Sequence, residues 1–260
     1  MNDDKAMAVK SADRTLSVLE YLAESREPRT LAELANALGI PKSSLHGLLR
    51  NLHARGWLST DGADSGLRYR IGPQALTVGA SYLRSDDIVQ RSSPALDKLS
   101  LQLGETLHLG VLEGMEVMYL AKRDARHNLR LVSGIGVRLP AYATALGKVL
   151  LSELAPDQLA QWLSLPRRYL TPKTLVNERL LRADLAVTRK RGYAVDDEES
   201  TEGVRCFAVP LGHREPYSHA LSCSVPIARL DPALEDLVVT SLKAAAVAIP
   251  QPEGIVLLAQ

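Results

Sequence analysis

Cysteine is nearly absent: only Cys206 and Cys223 occur in 260 residues, with no CxxC spacing. That excludes a disulfide scaffold and any cysteine-rich zinc module, and it fits a reducing compartment. Aromatic residues are few and scattered, with one Phe, two Trp and eight Tyr. Such a set makes no base-stacking surface for single-stranded nucleic acid. The net charge is only +1, which excludes bulk electrostatic coating of nucleic acid or anionic membrane. No apolar run approaches the roughly 20 residues needed to span a bilayer. The N-terminal Met1-Asn2-Asp3-Asp4-Lys5 is polar with no apolar segment behind it, unlike a signal or transit peptide. The expected location is therefore cytoplasmic. Gly-x-Ser-x-Gly, Walker, HExxH and GxGxxG motifs are missing, and the six histidines form no i, i+4 pair. The expectation is no catalytic residue, no metal and no cofactor.

What is present is ordinary globular composition, 46% hydrophobic and 23% charged, in a chain long enough for one large or two ordinary domains. The first seventy residues read as three short helices and a hairpin. One helix spans about Asp13 to Ala23. A second opens on the capping box Thr30-Leu31-Ala32-Glu33 and closes at Gly39. Pro41 then stands as a favoured first helical residue, and a third helix runs to about Ala54. Two helices joined by a tight Gly-containing turn form a helix-turn-helix signature.

In the third helix Leu45, Leu48, Leu49 and Leu52 fix a core-facing stripe. Ser43, His46 and Arg50 fall on the opposite face, flanked by Lys42, Ser44 and Asn51. That face carries donors and no acid, as a helix lying in a DNA major groove requires. Trp57–Ser59 and Leu67–Ile71 alternate like strands about a turn-rich loop, the pattern of a wing that would place Arg68 and Arg70 toward phosphates. Any amphipathic helix has a polar face, so the succession of motifs carries the DNA-binding reading.

Ala32-Glu33-Leu34-Ala35 and Gly39-Ile40-Pro41-Lys42-Ser43-Ser44-Leu45-His46-Gly47-Leu48-Leu49 closely resemble the winged helix of IclR-family bacterial transcriptional regulators. Gly104-Glu105-Thr106, Thr144-Ala145-Leu146-Gly147-Lys148, Arg191-Gly192-Tyr193-Ala194-Val195-Asp196-Asp197-Glu198-Glu199 and Gly203-Val204-Arg205-Cys206 resemble the family's second half, in its order. The resemblance spans about residues 11 to 248. One departure is Gly47, where the family often has a DNA-facing arginine; its absence shifts weight to Ser43, Ser44, His46 and Arg50.

Beyond Gly72-Pro73, residues from Gln74 to about Arg84 read as a connecting helix. Next come a helix carrying Ile88, Leu96, Leu99 and Leu103, a hairpin of Thr106–Leu112 with Glu116–Ala121, and a third strand over Leu129–Val132. Helices are expected near Ala145–Glu153, Pro156–Ser164 and Asn177–Arg191, and strands at Val195, Val204–Val209 and Ala220–Val225. Asp231-Pro232 starts a last helix. The expected fold is α+β: a winged helix-turn-helix domain (1–72), a linker helix (73–85) and an α/β domain (86–260), which the resemblance makes a GAF-like effector-binding and oligomerisation domain.

Ser222 and Ser224 are two apart on a strand, so both hydroxyls share one face. Cys206 and Asp196 belong to neighbouring expected strands, and the helix start at Thr144 offers free amides to a carboxylate. The resemblance implies that Thr144, Ala145, Leu146, Gly147, Asp196, Cys206, Ser222 and Ser224 line a pocket for a small carboxylate or aromatic acid. Each has a plainer reading: a buried cysteine as a small hydrophobe, serines bonding across the sheet, an acidic run as a solvated loop. The expected partners are double-stranded operator DNA, the small-molecule effector and further copies of the chain, as homodimer or homotetramer. The expected function is ligand-responsive regulation of transcription, as repressor or activator. The alternative is a small-molecule hydrolase with Cys206 as nucleophile, His108 or His219 as base and Asp196 as orienter.

Overall fold

The computed structural model describes residues 9–25, 27–62, 66–85, 87–128, 131, 133–212 and 218–250. The chain divides into two compact units, with the division after Ser85.

The first unit contains α1 (Lys10–Glu24), β1 (Arg29–Thr30), α2 (Leu31–Leu38), α3 (Lys42–Ala54), β2 (Leu58–Asp61), β3 (Arg68–Ile71) and α4 (Pro73–Ser85). The capping box forms reciprocally. The Glu33 amide donates to Thr30 Oγ1 at 3.2 Å, and the Thr30 amide donates to Glu33 Oε2 at 2.6 Å. Gly39 adopts φ +62° and stops α2. Pro41 is the N-cap of α3 rather than its first residue, because its ψ of 136° is extended. Leu45, Leu49 and Leu52 bury against Val18, Leu22, Leu34 and Leu58. Leu48, at the edge of the stripe, is only half-buried and lines a groove with Leu16, Leu19 and Trp57. β1 joins the hairpin to give the order β1-β3-β2; two residues are too short to show a period in the sequence.

Gly47 lies in the exposed face of α3, and a Cβ there meets nothing within 4 Å. Glycine in a helix interior costs backbone entropy that alanine does not. Gly47→Ala is expected to stabilise the protein by about 0.5–1 kcal/mol, read as a higher thermal midpoint. An unchanged or lower midpoint contradicts this.

The second unit contains α5 (Asp87–Leu103), β4 (Thr106–Glu113), β5 (Glu116–Arg123), β6 (Arg138–Pro140), α6 (Ala145–Leu151), α7 (Pro156–Leu163), α8 (Glu178–Arg191), β7 (Ala194–Asp197), β8 (Val204–Leu211), β9 (His219–Pro226) and α9 (Pro232–Ala248). The strands form one antiparallel sheet of order β6-β5-β4-β9-β8-β7. The strand expected over Leu129–Val132 falls largely outside the described residues. β6 was not expected. It is three residues long and ends on Pro140, which an edge strand tolerates because its outer N–H groups need no partner. α6 ends at Leu151, two residues short of the expected Glu153.

Alternation gives the sheet two faces. Leu107, Leu109, Phe207, Val209, Leu221, Cys223 and Val225 pack with Leu96 and Leu99 of α5 and Val238 and Leu242 of α9. The other face carries Tyr119, Cys206, Ala208 and Ala220, packed with α6 and the short 3-10 turn Ala141–Ala143. Thr106, His108, Ser222 and Ser224 share this second face by strand parity.

Candidate functional site

In the first unit, α3 presents Lys42, Ser43, His46, Gly47, Arg50 and Asn51 to solvent. Ser44 is half-buried and accepts a hydrogen bond from Arg14 Nη1 at 3.1 Å. Thus α1 adds a cation beside the α3 N-terminus that local sequence did not reveal. Gly47, Arg50, Asn51 and Ala54 line a shallow depression of about 480 Å³. The hairpin arginines are engaged within the unit. Arg68 Nη1 donates to the Pro28 carbonyl at 3.0 Å and lies 3.8 Å from Glu33, while Arg70 Nε is 3.2 Å from Asp61. These pairs are half-exposed and weak, so a phosphate can compete for either guanidinium. α3 itself contains no acid. The face can donate to phosphates and to base edges but repels neither.

In the second unit the register aligns the expected pocket residues. Asp196 pairs with Cys206, Cys206 with Ser224, and Ser224 with Thr106. One step along, Ala208 pairs with Ser222 and Ser222 with His108. All six polar side chains in these two rows are buried. Cys206 Sγ donates to Ser224 Oγ at 3.2 Å. Asp196 is already occupied: Oδ1 accepts from the Glu199 amide at 2.7 Å and the Ser200 amide at 3.2 Å, and Oδ2 from Ser200 Oγ at 2.5 Å. It therefore ties down the 196–200 loop. Burial raises its carboxyl pKa, against the pull of those donors.

Thr144 is the N-cap of α6, and its Oγ1 accepts from the Gly147 amide at 3.1 Å. The Gly147 amide is thus used internally, while those of Ala145 and Leu146 have no intrahelical acceptor. α6 lies close over β4: a Cβ on Gly110 would sit 3.0 Å from Leu146 Cδ1.

Several further polar residues stand on this face that were not expected at the effector pocket. The His108 ring stacks on Tyr119, with centroids 4.1 Å apart and planes 21° apart. His108 Nε2 is 2.8 Å from Ser133 Oγ. Lys122 Nζ donates to the Ser133 carbonyl at 2.8 Å and pairs with Asp124 at 2.8 Å. Burial first, then the Lys122 charge, pushes the His108 pKa down to about 3, so the ring is neutral. Burial pushes the Tyr119 phenol up, with Cys206 and Asp196 adding to it. The signal was the Thr106-x-His108 alternation facing Ser222-x-Ser224. It becomes legible only once β4 is known to pair with β9.

The hydrolase alternative finds no support. Burial holds the Cys206 thiol well above its ordinary range, the opposite of an activated thiolate, and its S–H points to a serine. His219 Nδ1 contacts Ser218 Oγ at 2.8 Å on the sheet's outer end. Among the described residues no group of three His, Cys, Asp or Glu is placed to hold a metal, and no helix is long and apolar enough to cross a membrane.

Comparison with known proteins accounts for both units. The IclR helix-turn-helix domain model matches residues 11–62, and the bacterial transcriptional regulator IclR C-terminal model matches residues 80–251. The HTH-type transcriptional regulator XynR of Escherichia coli K12 is 36% identical over 227 residues, covering 86% of this chain and 89% of its own. The transcriptional repressor IclR of the same organism is 37% identical over 227 residues, covering 85% and 82%. The crystal structure of Thermotoga maritima IclR superposes with a TM-score of 0.73 at 25% identity, covering 93% of this chain and 98% of that one. These relatives are regulators of transcription, not enzymes, and the helix-turn-helix is the part that binds operator DNA. The chain is a member of the IclR family of bacterial transcriptional regulators.

Proposed function

We propose that the chain works in the cytoplasm as a homodimer or homotetramer whose operator affinity is set by a small organic acid. The buried polar row Asp196–Cys206–Ser224, under the start of α6, carries the effector part of this reading. The acid's carboxylate meets the Ala145 and Leu146 amides and the Ser222 and Ser224 hydroxyls. Asp196 holds the adjoining loop, so effector contacts transmit to residues 196–200. To act as a switch the acid must bind two arrangements of the protein unequally.

On the DNA side, Lys42, Ser43, Ser44, His46 and Arg50 read or grip a major groove, and Arg68 and Arg70 reach flanking phosphates. Self-association is supported by α4, which buries none of its residues and leaves Leu76 and Val78 exposed. A dimer implies a pseudo-palindromic operator with half-sites one helical turn or a multiple apart.

The test joins both parts. A thermal-shift screen of the full chain against small aliphatic and aromatic carboxylates is expected to give at least one stabilising acid, and that acid is expected to change operator affinity. Failure of every acid class removes the effector reading. Arg50→Ala is expected to weaken operator binding by about 1–3 kcal/mol. Unchanged affinity removes α3 as the reading helix. Sedimentation of the same samples checks the oligomer.

A further inference from the structure

Two buried side-chain atoms of β4 lack a partner among the described residues. Among the described residues His108 Nδ1 and Thr106 Oγ1 are fully buried and make no hydrogen bond. Leaving such an atom buried and unpaired costs about 1–3 kcal/mol, and native structures hold few of them. These two occupy successive positions on one strand face. Thr106 stands opposite Ser224, and His108 opposite Ser222. The His108 ring is fixed by its stack on Tyr119 and by Ser133 at Nε2, so Nδ1 is not free to turn toward another partner.

The chemistry of this pair is uncharged. Burial and the neighbouring Lys122 charge keep the imidazole neutral, and Lys122 itself is paired with Asp124. A neutral imidazole nitrogen and a hydroxyl can hydrogen-bond a hydroxyl or carbonyl group. They cannot compensate a buried second carboxylate, whose desolvation would go unanswered. An alkyl or aryl terminus would leave both atoms unpaired.

We propose that His108 Nδ1 and Thr106 Oγ1 form a second recognition point that selects a monocarboxylate bearing a hydroxyl or carbonyl group away from its acid end. This rests on the reading of the Ser222/Ser224 face as the acid site. His108 and Thr106 are then specificity-determining residues, distinct from the groups that take the carboxylate.

Calorimetry on the full chain with two matched series tests this: benzoate, 4-hydroxybenzoate and terephthalate; propionate, 3-hydroxypropionate and malonate. In at least one series the hydroxy acid is expected to bind about tenfold tighter than its parent, with the diacid weaker than the hydroxy acid. His108→Phe and Thr106→Val are each expected to bring the hydroxy-to-parent ratio toward one while leaving the parent's affinity in place. His108→Gln, which keeps a neutral donor and acceptor, is expected to restore part of it. Equal binding of hydroxy acid and parent by the unaltered chain, a diacid as tight as the hydroxy acid, or a ratio unmoved in both variants overturns the inference and leaves the acid site standing. Absence of binding by all six probes overturns the acid site and the inference with it. The unaltered chain's ratio decides even where a variant fails to fold.

Discussion

Lys148→Ala is expected to cost about 3–5 kcal/mol, a large share of the stability of an ordinary domain. Lys148 is almost fully buried, with Nζ 2.6 Å from Glu199 Oε1 and 2.8 Å from Asp184 Oδ2. Asp196 lies close enough to feel its charge. One ammonium thus serves three carboxyl groups in a buried space. Removing it leaves Glu199 buried without its counter-charge, which costs more than never having built the pair. Chemical denaturation measures this loss, and a shift under 1 kcal/mol would contradict it. Replacing the pair together, as Lys148→Met with Glu199→Leu, is expected to recover part of the loss.

The same cluster has a pH signature. Burial, with Asp196 and Asp184 adding to it, pushes the Glu199 pKa up to about 7 from an ordinary 4.5, against the pull of Lys148. The folded state therefore holds this proton more tightly than the unfolded chain. Its stabilising effect is complete below about pH 4.5 and is lost as pH rises through about 7. Glu199→Gln flattens that part of the stability profile.

Gly147→Val is expected to abolish folding of the second unit. A Cβ at Gly147 would lie 2.1 Å from the Ala141 carbonyl oxygen and 2.3 Å from the Ala141 Cα. Those are backbone atoms of the turn that α6 packs upon, so no side chain can swing aside. The cost exceeds about 3 kcal/mol, and even Gly147→Ala meets it. Soluble yield and the denaturation midpoint read it; a variant within 1 kcal/mol of the parent would show that the turn can move. Gly47→Ala is the opposite case. It is the same substitution, but in open space on an exposed helix face. Glycine serves close approach at one position and only costs entropy at the other.

The winged-helix unit was legible because its signals are local. The Thr30/Glu33 box, Gly39 at positive φ and the leucine stripe of α3 each act within one or two turns of chain. The exceptions were non-local: β1, which forms only against β3 through Arg29 opposite Tyr69, and Arg14 of α1 reaching Ser44 thirty residues away. On the sheet, Ser222 and Ser224 were identified as a pair from strand parity. Their neighbours were not, because β4 and β9 are more than a hundred residues apart in sequence and their register has no local marker. His108 entered only as a candidate base of the hydrolase alternative, and Lys148 only as the end of the Thr144–Lys148 motif.

The sequence alone therefore determined most of the elements and the family, since capping, periodicity and motif order are properties of short segments. The near-neutral charge excluded bulk coating of nucleic acid, while the acid-free face of α3 remained free to read a short duplex site. Only the tertiary structure decided which polar groups share a buried face, which are already satisfied and which are not. It occupied Asp196 with its own loop, paired Arg68 and Arg70 with nearby acids, and left His108 Nδ1 and Thr106 Oγ1 without partners among the described residues. Hydrogen-bond satisfaction depends on distances set by long-range strand pairing, and no local pattern of residues encodes those distances.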